Sequence, residues 1–134
     1  MSAATVRPTI LTVDDSKGLR LFVQKALGAF DCEATEASNG YNAFFAIERA
    51  RPQLILLDVS MPVMDGVETL TRLKTAPELR DIPVLMLTSP ADHAVMVRLT
   101  TLGASGTLMK PFNEAALLDK IRLVLDLKPA RTAS

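Results

Sequence analysis

Short runs of strand-like character alternate along the chain with longer segments whose apolar residues recur at helical spacing. The strand-like runs are Thr9–Val13, Cys32–Ala37, Leu54–Leu57, Pro83–Leu87 and Gly106–Met109. Leu54–Leu57 is continuously apolar, which is typical of a buried parallel strand, whereas Cys32–Ala37 alternates small and acidic residues as an edge strand would. The pattern predicts five βα units, and therefore a parallel sheet with helices on both faces and right-handed crossovers.

Local signals mark the starts and ends of several helices. Asp65 and Glu68 have the spacing of a helix-start capping pair. Ser89, followed by Pro90 in the first turn, predicts a second helix start. Gly103 is expected to end that helix, because glycine readily adopts the backbone conformation of a C-terminal cap.

The last helix is predicted to begin after Asn113 and to run to about Leu127. Residues 8–127 would then form one domain, between a flexible N-terminus (residues 1–7) and a frayed C-terminal tail (residues 128–134). Leu118, Ile121 and Leu125 are expected to face the sheet. The other apolar residues of this helix are Leu117, Leu123 and Leu127. One helix face cannot bury all six, so the surplus either forms a partner site or packs under neighbouring helices.

Composition narrows the class of protein without identifying it. The chain has 134 residues, of which 49% are hydrophobic, and Lys+Arg and Asp+Glu each number 15. This balance gives no sign of a general affinity for nucleic acid or for an anionic membrane surface. The single cysteine, Cys32, excludes an internal disulfide and fits a reducing compartment. No apolar run is long enough to cross a bilayer and no signal-peptide core is visible, so a cytoplasmic protein is expected.

Polar residues stand at the carboxyl ends of four predicted strands. They are Asp14 and Asp15 after the first strand, Asp58 after the third, Thr88 after the fourth and Lys110 after the fifth. In open parallel sheets functional groups gather at this edge. Two carboxylates about 4 Å apart repel by roughly 4 kcal/mol at an effective dielectric constant near 20, and a hard divalent cation such as Mg²⁺ or Mn²⁺ would relieve that repulsion. A carboxylate in such surroundings can act as a nucleophile toward phosphorus.

The motifs at these strand ends resemble the receiver domain of two-component response regulators. They are ILTVDDS at residues 10–16, LILLD at 54–58, MPVMDG at 61–66, LTS at 87–89, GASG at 103–106 and KPF at 110–112. The resemblance covers about residues 7–127, and the motifs are specific when taken together and in this order. It implies a flavodoxin-like, doubly wound (βα)5 sandwich whose five strands lie in the order 2-1-3-4-5.

The resemblance also implies a role for each matching residue. Asp58 would be the phosphorylation site, and Thr88 and Lys110 would hold the phosphoryl group. Asp15 and Asp58 would bind Mg²⁺ directly, Asp14 would act mostly through water, and the backbone carbonyl of Ser60 would complete the protein ligands. The Lys110–Pro111 peptide bond would be cis, an isomer that is common only before proline.

One position departs from the family pattern. Many receiver domains carry an aromatic switch residue three positions before the lysine, and this chain has Thr107 there. The coupling in which an aromatic ring follows the strand-four hydroxyl inward cannot operate in that form. The phosphorylation chemistry is expected to survive, while the output signal would travel by a different route.

The resemblance implies protein partners rather than nucleic acid or membrane. A histidine kinase or phosphotransfer protein, or a small phosphodonor, would supply the phosphoryl group. The face formed by helix 4, strand 5 and helix 5 would bind a downstream protein target, and the chain would be a monomer or a weak dimer. Two interpretations remain open: a stand-alone receiver, or a receiver fragment of a longer regulator such as a DNA-binding one, for which Lys128–Arg131 would begin a linker.

Two other functional classes fit the residues less well. Phosphatases of the haloacid-dehalogenase type also use an aspartyl phosphate, but they carry an Asp-x-Asp motif on the first strand. In this chain Asp14 and Asp15 are adjacent. Flavin-binding electron carriers need a first loop that cradles phosphate, and this first loop is acidic. The expectation is therefore a protein that is not an enzyme beyond its own phosphorylation and slow dephosphorylation.

Overall fold

Five parallel strands form a single sheet in the order β2-β1-β3-β4-β5. The computed structural model describes residues 7–130. The strands are β1 (Thr9–Val13), β2 (Glu33–Ala37), β3 (Leu54–Asp58), β4 (Val84–Thr88) and β5 (Gly106–Met109). The helices are α1 (Lys17–Leu27), α2 (Gly40–Arg49), α3 (Gly66–Thr75), α4 (Met96–Thr101) and α5 (Glu114–Arg122). The predicted flavodoxin-like architecture and strand order are confirmed, with β2 at one edge.

The core has two layers, one on each face of the sheet. Every residue of β1, β3 and β4 is buried, and successive side chains point to opposite faces. Leu11 and Leu57 pack with helices α2, α3 and α4 on one face. Ile10 and Leu56 pack with α1 and α5 on the other. The continuously apolar run Leu54–Leu57, predicted to be a buried parallel strand, is therefore covered by helices on both sides.

Side-chain caps fix the starts of four helices. The capping residues are Ser16, Asn39, Asp65 and Asn113, and each accepts a hydrogen bond from a backbone N–H in the first turn of its helix. The predicted caps at Asp65 and Asn113 are confirmed. None of the helices among residues 7–130 has the length and apolar character needed to cross a bilayer.

Two glycines are required where they stand. A Cβ on Gly66 would collide with the backbone of Asp58 and Val59, so only glycine lets the start of α3 approach the end of β3 this closely. Gly103 has a φ of 106°, a left-handed conformation that strains residues with a side chain. It follows α4, as the sequence predicted for a C-terminal cap.

The segment after β4 differs from the regular helix that the sequence predicted. Ser89 begins a helix, but Pro90–Val95 forms a 3₁₀ helix and only Met96–Thr101 is α-helical. Within the first turn, Asp92 accepts from the backbone and hydroxyl of Ser89. A tight 3₁₀ turn is common at helix starts, and here it carries the Asp92 carboxylate back to the end of β4.

The end of the chain corrects two expectations. Helix α5 ends at Arg122, and the prediction that it continues to Leu127 is wrong. Leu127 is buried among side chains of α1 and α5, and the chain leaves the helix to bring it there. Lys128 is also tied down, because its carbonyl accepts from the Asp31 N–H at 2.7 Å. The expected fraying is therefore wrong for Lys128–Ala130, while residues 131–134 lie outside the described residues.

The apolar residues of the last helix are now assigned. Leu117, Leu118, Ile121 and Leu127 are buried and Leu125 packs against the same cluster, whereas the side chain of Leu123 is 81% exposed. Of the two alternatives for the surplus residues, packing under neighbouring helices therefore holds for Leu127, because the turn after Arg122 buries it. Leu123 alone remains available to a partner on this segment.

Candidate functional site

Four strand ends meet at the carboxyl edge of the sheet. Asp14 directly follows β1, Asp58 is the last residue of β3, Thr88 is the last residue of β4, and Lys110 directly follows β5. The strands are adjacent and in register, since Asp58 lies opposite Leu87 and Thr88 lies opposite Met109. The apolar strands thus carry these polar groups to one edge as a consequence of their parallel pairing.

Lys110 joins two of the buried carboxylates. Its Nζ donates to Asp14 Oδ2 at 2.8 Å and to Asp58 Oδ1 at 3.0 Å. The side chains of Asp14 and Asp58 are 0% and 6% exposed, and that of Lys110 is 25% exposed. The peptide bond after Lys110 is cis, as expected. Lys110 can therefore hold an anion at Asp58 while it neutralises part of the charge already present.

The three aspartates form a set of oxygen donors. One carboxylate oxygen each from Asp14, Asp15 and Asp58 lies within 4.8 Å of the other two. Asp14 and Asp58 are buried, whereas Asp15 is exposed, so the cluster opens to solvent on the Asp15 side. Oxygen donors in this number and spacing suit a hard divalent cation, which commonly keeps several water ligands.

Burial and charge act in opposite directions on the two partners of the central ion pair. Burial raises the pKa of Asp58 to about 6, and the nearby charge of Asp14 adds to the increase, while Lys110 opposes it. Burial by itself would lower the pKa of Lys110, but its hydrogen bonds to Asp14 and Asp58 raise that pKa above its usual value. Near neutral pH Asp58 is therefore mainly ionised and Lys110 is charged.

Thr88 contributes a buried hydroxyl without a partner. Thr88 is fully buried, and its Oγ1 makes no hydrogen bond to the residues that the structure describes. Its backbone carbonyl accepts from the Lys110 N–H at 2.6 Å, which ties it to the same edge. An unsatisfied buried hydroxyl costs free energy, and an oxygen-rich group bound at Asp58 is the kind of partner it lacks.

Two further predicted residues occupy flanking positions. Ser60, two residues beyond Asp58, is exposed, and its hydroxyl donates to Asp92 at 3.3 Å. Thr107 lies in β5 opposite Met86 and is partly buried, on the strand that leads to Lys110. The sequence did not single out Asp92 for the site, although the spacing of Ser89 and Asp92 is itself a recognisable capping signal.

Hydrogen bonds from Ser16 and Arg20 hold Asp14 in place, and the sequence did not predict them. The Ser16 N–H donates to Asp14 Oδ1 at 2.8 Å, and Arg20 Nη1 donates to the Asp14 carbonyl at 2.6 Å. Arg20 in turn pairs with Glu36 at 2.6 Å. The Ser16 contact orients the Asp14 carboxylate and is local in sequence. The pair between Arg20 and Glu36 joins two different elements, so no local motif reveals it.

Comparison with known proteins agrees with this geometry. The family model described as "Response regulator receiver domain" matches residues 10–122. The sporulation initiation phosphotransferase F of Bacillus subtilis is 33% identical over 119 residues, which are 89% of this chain and 94% of that protein. The phosphate regulon transcriptional regulatory protein PhoB of Pseudomonas aeruginosa is 35% identical over 90% of this chain, but the match spans only 52% of that longer protein.

Solved structures show the same similarity. The chemotaxis response regulator CheY4 of Vibrio cholerae superimposes with a TM-score of 0.82 at 34% identity, over 89% of this chain and 99% of that one. The family-model match, residues 10–122, contains all four strand ends that build the site. Family match, relatives and fold therefore agree, and this chain belongs to the receiver domains of two-component response regulators.

Proposed function

We propose that Asp58 accepts a phosphoryl group from the phosphohistidine of a histidine kinase or phosphotransfer protein, or from a small phosphodonor. The observation that carries this proposal is the contact of Lys110 Nζ with both Asp58 and Asp14, inside a cluster that also includes Asp15. A structural ion pair needs one carboxylate for one ammonium. The additional buried carboxylate is costly unless a cation or a reaction makes use of it.

In the proposed reaction, a carboxylate oxygen of Asp58 attacks the phosphorus atom. The new P–O bond forms as the P–N bond of the phosphohistidine breaks, and the electron pair leaves with the imidazole nitrogen. Lys110 is placed to hold one phosphoryl oxygen, since its Nζ already lies 3.0 Å from Asp58. The unpartnered Thr88 hydroxyl is available to donate to another. Such transfer depends mainly on positioning and charge neutralisation.

We assign the metal-binding role to oxygen atoms of four residues. Asp15 and Asp58 would bind Mg²⁺ or Mn²⁺ directly, Asp14 would act mostly through water, and the Ser60 backbone carbonyl would be a further ligand. Proximity of the three carboxylates supports this assignment. When bound, the ion offsets negative charge on the transferred group and on the carboxylates.

Incubation with acetyl phosphate and Mg²⁺ tests the proposal. Intact-mass measurement should show one added phosphoryl group on the wild-type chain, and Asp58→Asn should abolish it. Asp126→Asn, which alters an exposed aspartate far along the chain, is the matched control and should be labelled normally. Removal of the ion by a chelator should also prevent labelling. Persistent labelling of Asp58→Asn would contradict the assignment of the acceptor.

We further propose that a downstream protein binds the face formed by α4, β5 and α5, with the chain acting in the cytoplasm as a monomer or weak dimer. Exposed apolar side chains support this face: Val97 is 78%, Met109 48% and Leu123 81% exposed. Pulling down cell proteins with phosphorylated chain, and with Val97→Ser and Leu123→Ser variants, tests it. Unchanged partners in both variants would argue against this face. Thr107 belongs to β5 and therefore to this face, so we propose that the signal passes to the partner near Thr107.

A second candidate is the receiver part of a longer, DNA-binding regulator. The observation that favours it is the match to a transcriptional regulator of which this chain spans about half. The reading frame beyond Ser134 distinguishes the two, since a DNA-binding domain encoded there would establish the longer form. In either form we expect no turnover of external phosphomonoesters, only slow loss of the protein's own phosphate, and steady release of phosphate from such a substrate would contradict this.

A further inference from the structure

Asp92 is a buried carboxylate that the proposed phosphorylation chemistry does not use. It belongs to the 3₁₀ helix Pro90–Val95 and is only 6% exposed. No ion pair among residues 7–130 includes it, so its charge is offset by hydrogen bonds alone. A buried carboxylate is tolerated only where donors surround it, and the identity of those donors indicates what Asp92 connects.

The donors to Asp92 come from both flanks of the candidate site. Asp92 Oδ2 accepts from the Ser89 N–H at 2.8 Å and from the Ser89 hydroxyl at 3.1 Å. Its other oxygen, Oδ1, accepts from the Ser60 hydroxyl at 3.3 Å. Ser89 directly follows Thr88, and Ser60 lies two residues beyond Asp58. The Asp92 carboxylate therefore links the segment that follows Asp58 to the segment that follows Thr88.

We propose that Asp92 is a positioning residue that holds the Ser60 segment, and with it the Ser60 carbonyl, in place for the divalent cation. The inference rests on the proposed function, in which that carbonyl is a metal ligand. Ser60 is exposed, and its side chain is held by the Asp92 contact across 32 residues of sequence. Without this contact the segment would occupy the metal-binding position for a smaller fraction of the time, and cation affinity would fall in proportion.

Helix capping alone would be a simpler role for Asp92, and the two roles predict different responses to mutation. A cap acts on the 3₁₀ helix through Ser89 and does not require Ser60. A positioning role acts through Ser60, so removal of either Asp92 or the Ser60 hydroxyl should have the same effect. Ser89→Ala is the matched control, because it removes one cap bond and leaves the link between Ser60 and Asp92 intact.

The test is calorimetric titration of the full chain with Mg²⁺, without any phosphodonor. We expect the dissociation constant to rise about threefold to tenfold in both Asp92→Ala and Ser60→Ala, as for the loss of one ordinary intramolecular hydrogen bond. The double variant should bind Mg²⁺ no less tightly than whichever single variant binds it less tightly. Ser89→Ala should stay within about twofold of wild type, and Asp92→Asn, which keeps the shape and an acceptor, should recover most of the affinity.

Several outcomes would overturn the inference. If Asp92→Ala weakens Mg²⁺ binding and Ser60→Ala does not, Asp92 acts only as a helix cap. The same conclusion follows if the effects of the two substitutions add in the double variant. If both single variants bind Mg²⁺ as tightly as the wild-type chain does, the hydrogen bond between Ser60 and Asp92 does not contribute to cation binding. Absence of Mg²⁺ binding by the wild-type chain would instead contradict the proposed function itself. If Asp92→Ala unfolds, as urea denaturation would show, the exposed Ser60→Ala still decides the question.

Discussion

Two groups of ion pairs stand at opposite edges of the same sheet and differ mainly in burial. At the amino edge Arg7 pairs with Asp31 at 2.8 Å and with Glu33 at 3.4 Å, and all three side chains are at least 35% exposed. At the carboxyl edge Lys110 pairs with Asp14 at 2.8 Å and with Asp58 at 3.0 Å, where the carboxylates are at most 6% exposed. The distances are nearly the same in the two groups.

The surroundings give these similar contacts different consequences. Around Arg7, water already stabilises the charges, so the pairs add little to stability. Around Lys110, the carboxylates have lost their water, and each charge depends on its protein neighbours. The carboxyl edge therefore has a raised pKa at Asp58 and a set of carboxylates that could bind a cation, whereas the amino edge carries only exposed contacts of Arg7 with Asp31 and Glu33. The comparison predicts a graded series of mutational effects.

Replacement of Lys110 should have the largest effect. Lys110→Met keeps the aliphatic stem but removes the ammonium group that pairs with Asp14 and Asp58. It should lower the free energy of unfolding by about 3 kcal/mol near neutral pH, as for a broken buried ion pair. Urea denaturation measures this change, and the loss should diminish at lower pH as the carboxylates become protonated. Lys128→Met, which breaks an exposed pair with Asp126, is the control. Equal effects of the two substitutions would show that burial does not separate the two classes.

Replacement of Asp58 should have a smaller effect of opposite sign. Because burial raises the pKa of Asp58 to about 6, the folded protein binds this proton more tightly than the unfolded chain does. Stability therefore falls as pH rises from about 4 to 6, and the deficit persists above that range. Asp58→Asn should be more stable than wild type by about 2 to 3 kcal/mol at pH 7 without Mg²⁺, and nearly equal at pH 4. A constant difference in urea denaturation across this range would contradict the raised pKa.

Mg²⁺ should stabilise the wild-type protein by a lesser amount. At a concentration ten times the dissociation constant, binding to the folded state adds about 1.4 kcal/mol to the free energy of unfolding. Asp15→Asn should barely change stability without Mg²⁺, since Asp15 is exposed, but should remove most of the stabilisation by the ion. Thermal or urea denaturation with and without Mg²⁺ measures both quantities. Equal stabilisation of the variant would exclude Asp15 from the metal ligands.

The sequence predicted the sheet and the strand-end cluster because each depends on local pattern. A continuous run such as Leu54–Leu57 can be buried only between two helical layers, which indicates a parallel sheet with helices on both faces. The strand order 2-1-3-4-5 came from the resemblance to the receiver domains and not from this pattern. Asp58 then reaches the carboxyl edge by its place in the chain. The match of whole motifs to a known family gave the roles of Asp58 and Lys110 in the proposal, which spacing alone would have left open.

The incorrect predictions concern contacts between distant parts of the chain. Helix α5 was expected to continue to Leu127 because its apolar residues keep helical spacing, but burial of Leu127 against α1 and α5 outweighs that local preference. The link between Ser60 and Asp92 joins the loop after β3 to the 3₁₀ helix after β4, and their approach depends on the finished sheet. Neither contact has a periodicity or motif that would reveal it in advance.

The exposed pairs of Arg7 should show the smallest effect and so set the lower end of the series. Arg7→Met should lower the free energy of unfolding by less than about 1 kcal/mol, and high salt should reduce even that difference, because solvent ions screen exposed charges. Urea denaturation at low and high salt measures both effects. Arg7 also donates to the Cys32 carbonyl at 2.9 Å, a neutral contact that salt does not screen. A loss of about 2 kcal/mol that persists at high salt would therefore assign this edge of the sheet to backbone anchoring rather than to ion pairing.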